Sequence, residues 1–125
     1  MRKALGVALL AATILIPGTA HANHAPKAYC SESGDVCQEV RKTPDDYRLR
    51  LALGGKYFDR FKLCVKAPDD SRTCDTFRVK KMSGGIFGRN VSWSAHFPNE
   101  GAGAYTVIWR QGGNRLGHRL GFHIH

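Results

Sequence analysis

The sequence predicts a single all-β domain: an antiparallel sandwich of about seven short strands with two hairpin disulfides. Three observations predict it. Apolar and polar residues alternate with period two in one segment after another, the mark of half-buried strands. Turn chemistry built on Gly, Pro, Asn and Asp recurs about every 8 to 12 residues. The four cysteines, Cys30, Cys37, Cys64 and Cys74, fall where hairpins bring them together. No segment carries a capped helical stripe, and there is no internal repeat.

The elements follow in order. Tyr29 to Ser31 and Val36 to Lys42 read as short edge strands joined through Ser33-Gly34-Asp35. In Tyr47 to Leu53 the apolar set Tyr47, Leu49, Leu51 and Leu53 faces one way and the arginines the other, and Gly54-Gly55 ends the run. From Tyr57 to Lys66, Phe61, Leu63 and Val65 share one face, and Arg60, Lys62, Cys64 and Lys66 the other. Ala67-Pro68-Asp69-Asp70-Ser71 is a turn, with Pro presetting its own φ and Asp capping. The chain returns from Cys74 to Lys81 with Phe77 and Val79 on one side and Cys74, Thr76, Arg78 and Lys80 on the other. Met82 to Gly85 is a loop. Val91 to Phe97 alternates again, as a strand would, with Val91, Trp93, Ala95 and Phe97 on its apolar side. Pro98 to Gly101 turns the chain into the Gly103–Trp109 strand, and Gln111 to Asn114 is a tight hairpin. The last strand sets Leu116, His118, Leu120, Phe122 and Ile124 on one side, with Arg115, Gly117, Arg119, Gly121, His123 and His125 opposite. Asn23 to Lys27 reads as a loose tail.

The amino terminus has the layout of a secretory signal: Arg2 and Lys3, then an uncharged apolar run to Pro17, then Ala20-His21-Ala22 for cleavage. The run is short for a membrane span. Domain boundaries are therefore 1–22 for the signal peptide and 23–125 for the sandwich, a mature chain of 103 of the 125 residues. No cysteine follows the cleavage site to carry a lipid, and no later stretch is apolar enough to span a bilayer. Losing Arg2 and Lys3 takes Lys+Arg from 19 to 17 against 10 Asp+Glu, for a net charge of +7. A domain this small gains from cross-links.

Export to an oxidising space points to disulfides rather than thiols. Of three connectivities, the sequential one, Cys30–Cys37 and Cys64–Cys74, is favoured. Cys64 and Cys74 lie on the same face of two strands flanking one turn, within reach of each other. A zinc site would be expected to show Cys-x-x-Cys knuckles, and there are none.

Gly101-Ala102-Gly103-Ala104-Tyr105-Thr106-Val107 resembles the tyrosine corner of immunoglobulin-like domains, with Val107 where antibody domains carry a cysteine. With Cys64-x9-Cys74, the Phe97-Pro98 turn, Gly103-x-Tyr105-x3-Trp109 and Leu116-Gly117-x2-Leu120, the mature chain resembles small secreted bacterial immunoglobulin-like domain proteins of unknown function. The resemblance implies an immunoglobulin-like sandwich and supplies no activity. Tyr105, Trp93 and Trp109 are its structural residues.

Chemistry-bearing patterns are few. There is no Gly-x-Ser-x-Gly elbow, phosphate loop or His-Glu-x-x-His, and no enzyme is expected. Asp45-Asp46 and Asp69-Asp70 sit in turn signatures beside Pro44 and Pro68. His123 and His125 point to one face of a strand and make a two-ligand candidate for copper or zinc. A third ligand would come from His96, His118, an acid or another chain. His118 reads as a core or rim histidine. Cleavage after Ala20 would expose His21 as a copper chelate, but Ala22 fits the cleavage pattern better. No cofactor is expected. Asn90-Val91-Ser92 fits a glycosylation sequon.

The basic surface is the most suggestive feature. In an immunoglobulin-like arrangement the strands from Tyr57, Cys74, Gly103 and Asn114 share one sheet. Their outward positions include Phe58, Arg60, Lys62, Lys66, Arg78, Lys80, Arg110, Arg115 and Arg119, with Ile108 among them. Such a face suits an anionic cell-envelope polymer, lipid head groups or an acidic secreted protein. No nucleic-acid module is recognisable. A monomer is expected.

Overall fold

The computed structural model describes residues 25–125, so the signal peptide expected over 1–22 lies outside the described residues. The strands are β1 (Ala28–Cys30), β2 (Val36–Lys42), β3 (Tyr47–Leu53), β4 (Arg60–Lys66), β5 (Arg72–Arg78), β6 (Lys80–Lys81), β7 (Phe87–Ser92), β8 (Gly103–Gln111) and β9 (Asn114–Ile124). A one-turn helix, α1 (Trp93–His96), follows β7. They form two antiparallel sheets, in the orders β1-β2-β3-β7-β6 and β5-β4-β8-β9. Lettered from β2 onward as A, B, C, C′, D, E, F and G, these are A-B-E-D against C′-C-F-G, the arrangement of an immunoglobulin-type sandwich. The grouping of β4, β5, β8 and β9 in one sheet is the one expected from the sequence.

Period two decides which side chains enter the core. Leu49, Leu51 and Leu53 of β3 face Phe61, Leu63 and Val65 of β4, with Val107 and Trp109 of β8, and all are at most 4% exposed. At one end an aromatic cluster closes the sandwich. Phe122 stacks on Tyr47 at 4.3 Å and on Tyr105 at 5.1 Å between ring centres, and Trp93 meets Phe122 edge-on at 5.2 Å. The tyrosine corner is present: the Tyr105 hydroxyl donates to the Gly101 carbonyl at 2.7 Å and accepts from the Glu100 N–H at 2.9 Å. Val107 is fully buried where a cysteine would join the sheets of an antibody domain. The cross-links lie within hairpins instead. Cys30 is paired in register with Cys37, and Cys64 with Cys74, each as a disulfide with Cα atoms 4.1 and 4.0 Å apart.

The structure departs from the sequence expectations at four places. The first is Val91 to Phe97, where the strand stops at Ser92 and α1 begins. The Ser92 hydroxyl caps it by accepting from the Ala95 N–H at 3.2 Å, and Asp46 accepts from the Ser94 N–H at 3.0 Å and from the Ser92 hydroxyl. These caps turn the backbone. Trp93 and Phe97 still both reach the core, because residues four apart share a face of one helical turn.

The second departure is in β9. Trp109 pairs with Leu116 and Val107 with Leu120, so β9 carries a bulge opposite Ile108. Gly117, at φ +68°, supplies the left-handed residue it needs. The bulge ejects His118 from the core face. It is exposed and lies against the Tyr29 ring at 5.5 Å. Gln38, 2% exposed, holds the bulge from the other sheet. Its Nε2 donates to the Leu116 carbonyl and its Oε1 accepts from the His118 N–H, both at 2.9 Å. The third departure is at Ala25 to Lys27, which is a strap rather than a loose tail. The Pro26 carbonyl accepts from the Gly121 N–H at 3.1 Å and the Lys27 carbonyl from the Val40 N–H at 2.8 Å, so the strap ties β9 to β2. The fourth is the expected Cys74 to Lys81 strand, which ends at Arg78, with Lys80–Lys81 forming β6 of the other sheet.

Candidate functional site

The register of the four-stranded sheet fixes its outer face row by row. Arg60 lies opposite Arg78. In the next row Thr76, Lys62, Arg110 and Arg115 lie side by side across β5, β4, β8 and β9. Then come Cys74, Cys64 and Ile108, an apolar strip formed by the disulfide and one isoleucine. Beyond it Arg72, Lys66 and Thr106 are aligned. Arg119, exposed beside inward-facing Leu120, adds a cation at the bulge. Arg60, Lys62, Lys66, Arg72, Arg78, Arg115 and Arg119 are exposed, and Arg110 is half-buried with its guanidinium donating to the Gly113 carbonyl at 3.3 Å.

Four like-charged pairs therefore stand directly opposite one another: Arg60 with Arg78, Lys62 with Arg110, Arg110 with Arg115 and Lys66 with Arg72. Cross-strand pairs of like charge destabilise a sheet by up to about 1 kcal/mol each. Among the described residues the only ion pair on this face joins Lys66 to Asp70 at 3.4 Å. The outer face of the other sheet is built differently. There one like-charge pair, Arg41 with Arg48, is in register, but Glu39 stands opposite Arg50 and pairs with Arg41 at 3.3 Å, so an acid offsets the cations.

Two expected members of the face are elsewhere. Lys80 belongs to the other sheet: Val79 donates its N–H to the Asp59 carbonyl, and the chain then crosses over so that Lys80 pairs with Gly88 of β7. Phe58 precedes β4 and packs against the core. Arg72 was missed, although its parity with Cys74 and Arg78 placed it on the same face; β5 begins two residues earlier than the turn cluster suggested. Arg60, Lys62, Lys66, Arg78, Arg110, Arg115 and Arg119 are brought together as expected.

The other candidates fare differently. His123 and His125 have ring centres 4.6 Å apart at the end of β9. Among the described residues no group of three or more His, Cys, Asp or Glu side chains converges as a metal cluster. His96 instead meets Asp75, with Nδ1 3.7 Å from the carboxylate, and packs edge-on against Phe77. Of the paired aspartates, Asp69 does the expected turn work, while the Asp46 carboxylate caps α1 instead of the turn beside Pro44. Asp69 accepts from the Ser71 N–H and hydroxyl at 3.0 and 2.6 Å, and those bonds hold its carboxyl below its usual pKa. For Asp46 burial pushes the pKa up, but hydrogen bonds from Ser92, the Tyr47 backbone and Ser94 outweigh it, and the net shift is downward. A surface cavity of about 190 Å³ lies over Cys30–Cys37, with Tyr29 and Arg50 at its wall, and another of about 230 Å³ lies between the strap and Tyr105. Both are smaller than the roughly 300–1,000 Å³ usual for small-molecule sites.

Fold and site together define a class: an immunoglobulin-type sandwich, cross-linked within its hairpins, with one sheet face made almost wholly cationic. Comparison with protein-family models, curated proteins and solved structures returns no match. Both disulfides go with an oxidising compartment, and no helix among the described residues is long and apolar enough to cross a membrane.

Proposed function

We propose that this chain is an exported, non-enzymatic binding domain that uses the outer face of β5-β4-β8-β9 to hold an anionic partner of the cell envelope. One observation carries the reading. The sheet sets four pairs of like charges in direct register with almost no acid among them, an arrangement that costs stability and gains it back only when an anion occupies the face. The amino-terminal signal layout and the two disulfides support export. The resemblance to secreted bacterial immunoglobulin-like proteins supports the same compartment. The domain works as a monomer, needs no cofactor, and is not a nucleic-acid reader.

The test is retention on isolated envelopes at rising salt. The native protein is expected to elute in a salt-dependent way, and Arg60→Glu, Lys62→Glu, Arg78→Glu and Arg110→Glu combined are expected to abolish retention. Equal retention of that variant would defeat the reading. A second reading, a copper or zinc site at His123 and His125, is favoured by the 4.6 Å separation of the two rings. It predicts a stoichiometric complex in calorimetry that disappears with His123→Ala and His125→Ala together.

A further inference from the structure

We propose that the occupant of the basic face is a linear phosphodiester polymer of the envelope with short polyol linkers, lying along β4 and β8. The proposal rests on the binding role of the face argued above and names its ligand. Three features of the face select this chemistry over a folded acidic protein or a bilayer.

The first is size. Four strands about 4.8 Å apart make a strip about 14 Å wide, and the Arg60–Lys66 span is about 20 Å long. A standard protein interface covers about 800 Å² on each partner around aromatic anchors, well beyond a strip of this size. The one exposed large hydrophobic residue among the described residues is Tyr57, which precedes β4 and is off the face. A surface built to stay on a bilayer adds inserting apolar side chains to its charge, and this face has only half-buried Ile108.

The second feature is the kind of cation. Six of the eight are arginines, Arg60, Arg72, Arg78, Arg110, Arg115 and Arg119, whose planar forks take two oxygens of one phosphate at once.

The third is the order of the rows. Successive rows lie about 6.7 Å apart along the strands. Two cationic rows are followed by the apolar Cys64–Cys74 and Ile108 strip, and then by the Lys66–Arg72 row. A flexible phosphodiester chain that repeats on that scale can set successive phosphates on the two adjacent cationic rows. The next but one then meets the Lys66–Arg72 row, with the intervening phosphate turned to solvent above the disulfide. The stiff linked rings of a polyuronate cannot turn one carboxylate away in this manner.

The experiment is a binding titration of the full mature chain with poly(glycerol phosphate) fragments of graded length. Comparators are polygalacturonate and oligothymidylate of matched charge number, and phosphatidylglycerol vesicles. Affinity for poly(glycerol phosphate) is expected to rise with length and level off once a fragment spans about 20 Å, the length of β4. It should exceed the affinity for each comparator by about tenfold or more at equal salt. Polygalacturonate, oligothymidylate or vesicles binding as tightly would overturn the polymer assignment and leave the basic face as a binding surface. Binding of poly(glycerol phosphate) that Arg60→Glu with Arg78→Glu leaves unchanged would overturn both readings, as would no binding to any probe.

Discussion

Gly117 and Gln38 show how much one contact across the sandwich decides. Gly117 lies at φ +68°, and a Cβ there would stand 2.1 Å from the Gln38 side-chain oxygen. Gly117→Ala therefore combines a left-handed backbone with a clash against a buried amide that is bonded through both its oxygen and its nitrogen. A loss of about 2–3 kcal/mol is expected, read as a lower midpoint in urea unfolding with β9 losing hydrogen-exchange protection first. A loss under about 0.5 kcal/mol would mean that the bulge is not held as described. Asp46 gives a pH prediction at the same scale. Its hydrogen bonds hold the folded-state pKa below the ordinary 3.8, so the stability it contributes is complete above that value and is lost as pH falls through the folded value. Asp46→Asn is expected to lower stability at neutral pH and to flatten the acid limb of the stability curve. An acid limb of unchanged steepness would contradict this. Neither contact was legible in the sequence. The Gln38–His118 bond joins residues 80 apart and the Asp46–Ser94 bond residues 48 apart, and period two carries no information about either.

Among elements, the β4–β5 hairpin is where stability and binding meet. Its disulfide closes a loop of 10 residues and fastens the edge strand that carries Arg72 and Arg78. Cys64→Ala with Cys74→Ala is expected to cost about 2–3 kcal/mol, measured by chemical unfolding against the oxidised parent. The hairpin also makes the like-charge argument testable. Arg78→Glu, opposite Arg60, replaces a repulsive pair with an attractive one. It should stabilise the fold by about 0.2–1 kcal/mol and weaken envelope retention. A variant that gained no stability would remove the reason for thinking that the charge pattern is maintained for binding.

The hairpin was readable because its alternation is unbroken and both cysteines fall on the same parity. The sheet switch after β5 was not readable. Period two runs straight through Val79 into Lys80, while the crossover depends on pairings with Asp59 and Gly88 that are made in space. The segment after β7 misled for a related reason: Trp93 and Phe97 satisfy both a strand face and a helical turn, and the Ser92 and Asp46 caps decide between them.

At the scale of the whole molecule, two similar sheets have dissimilar outer faces. The face of Arg41, Arg48 and Arg50 has one like-charge pair in register, Arg41 with Arg48, and Glu39 to offset it. The face of β5-β4-β8-β9 has four such pairs and no acid in its rows. Net charge alone, visible in the composition, could not have shown this, because seventeen cations spread evenly over both sheets would give the same total. Strand parity supplied most of the asymmetry, and register supplied the direct opposition of like charges. The central claim is that this one face binds. The most direct measurement is an NMR titration of isotopically labelled protein with an anionic envelope polymer, following backbone amides and arginine side chains. Shifts concentrated on Arg60, Lys62, Arg78, Arg110, Arg115 and their strand neighbours, with β2 and β3 silent, are the predicted result. Shifts confined to the loops at one end of the sandwich, or to the face of Arg41, Arg48 and Arg50, would contradict it.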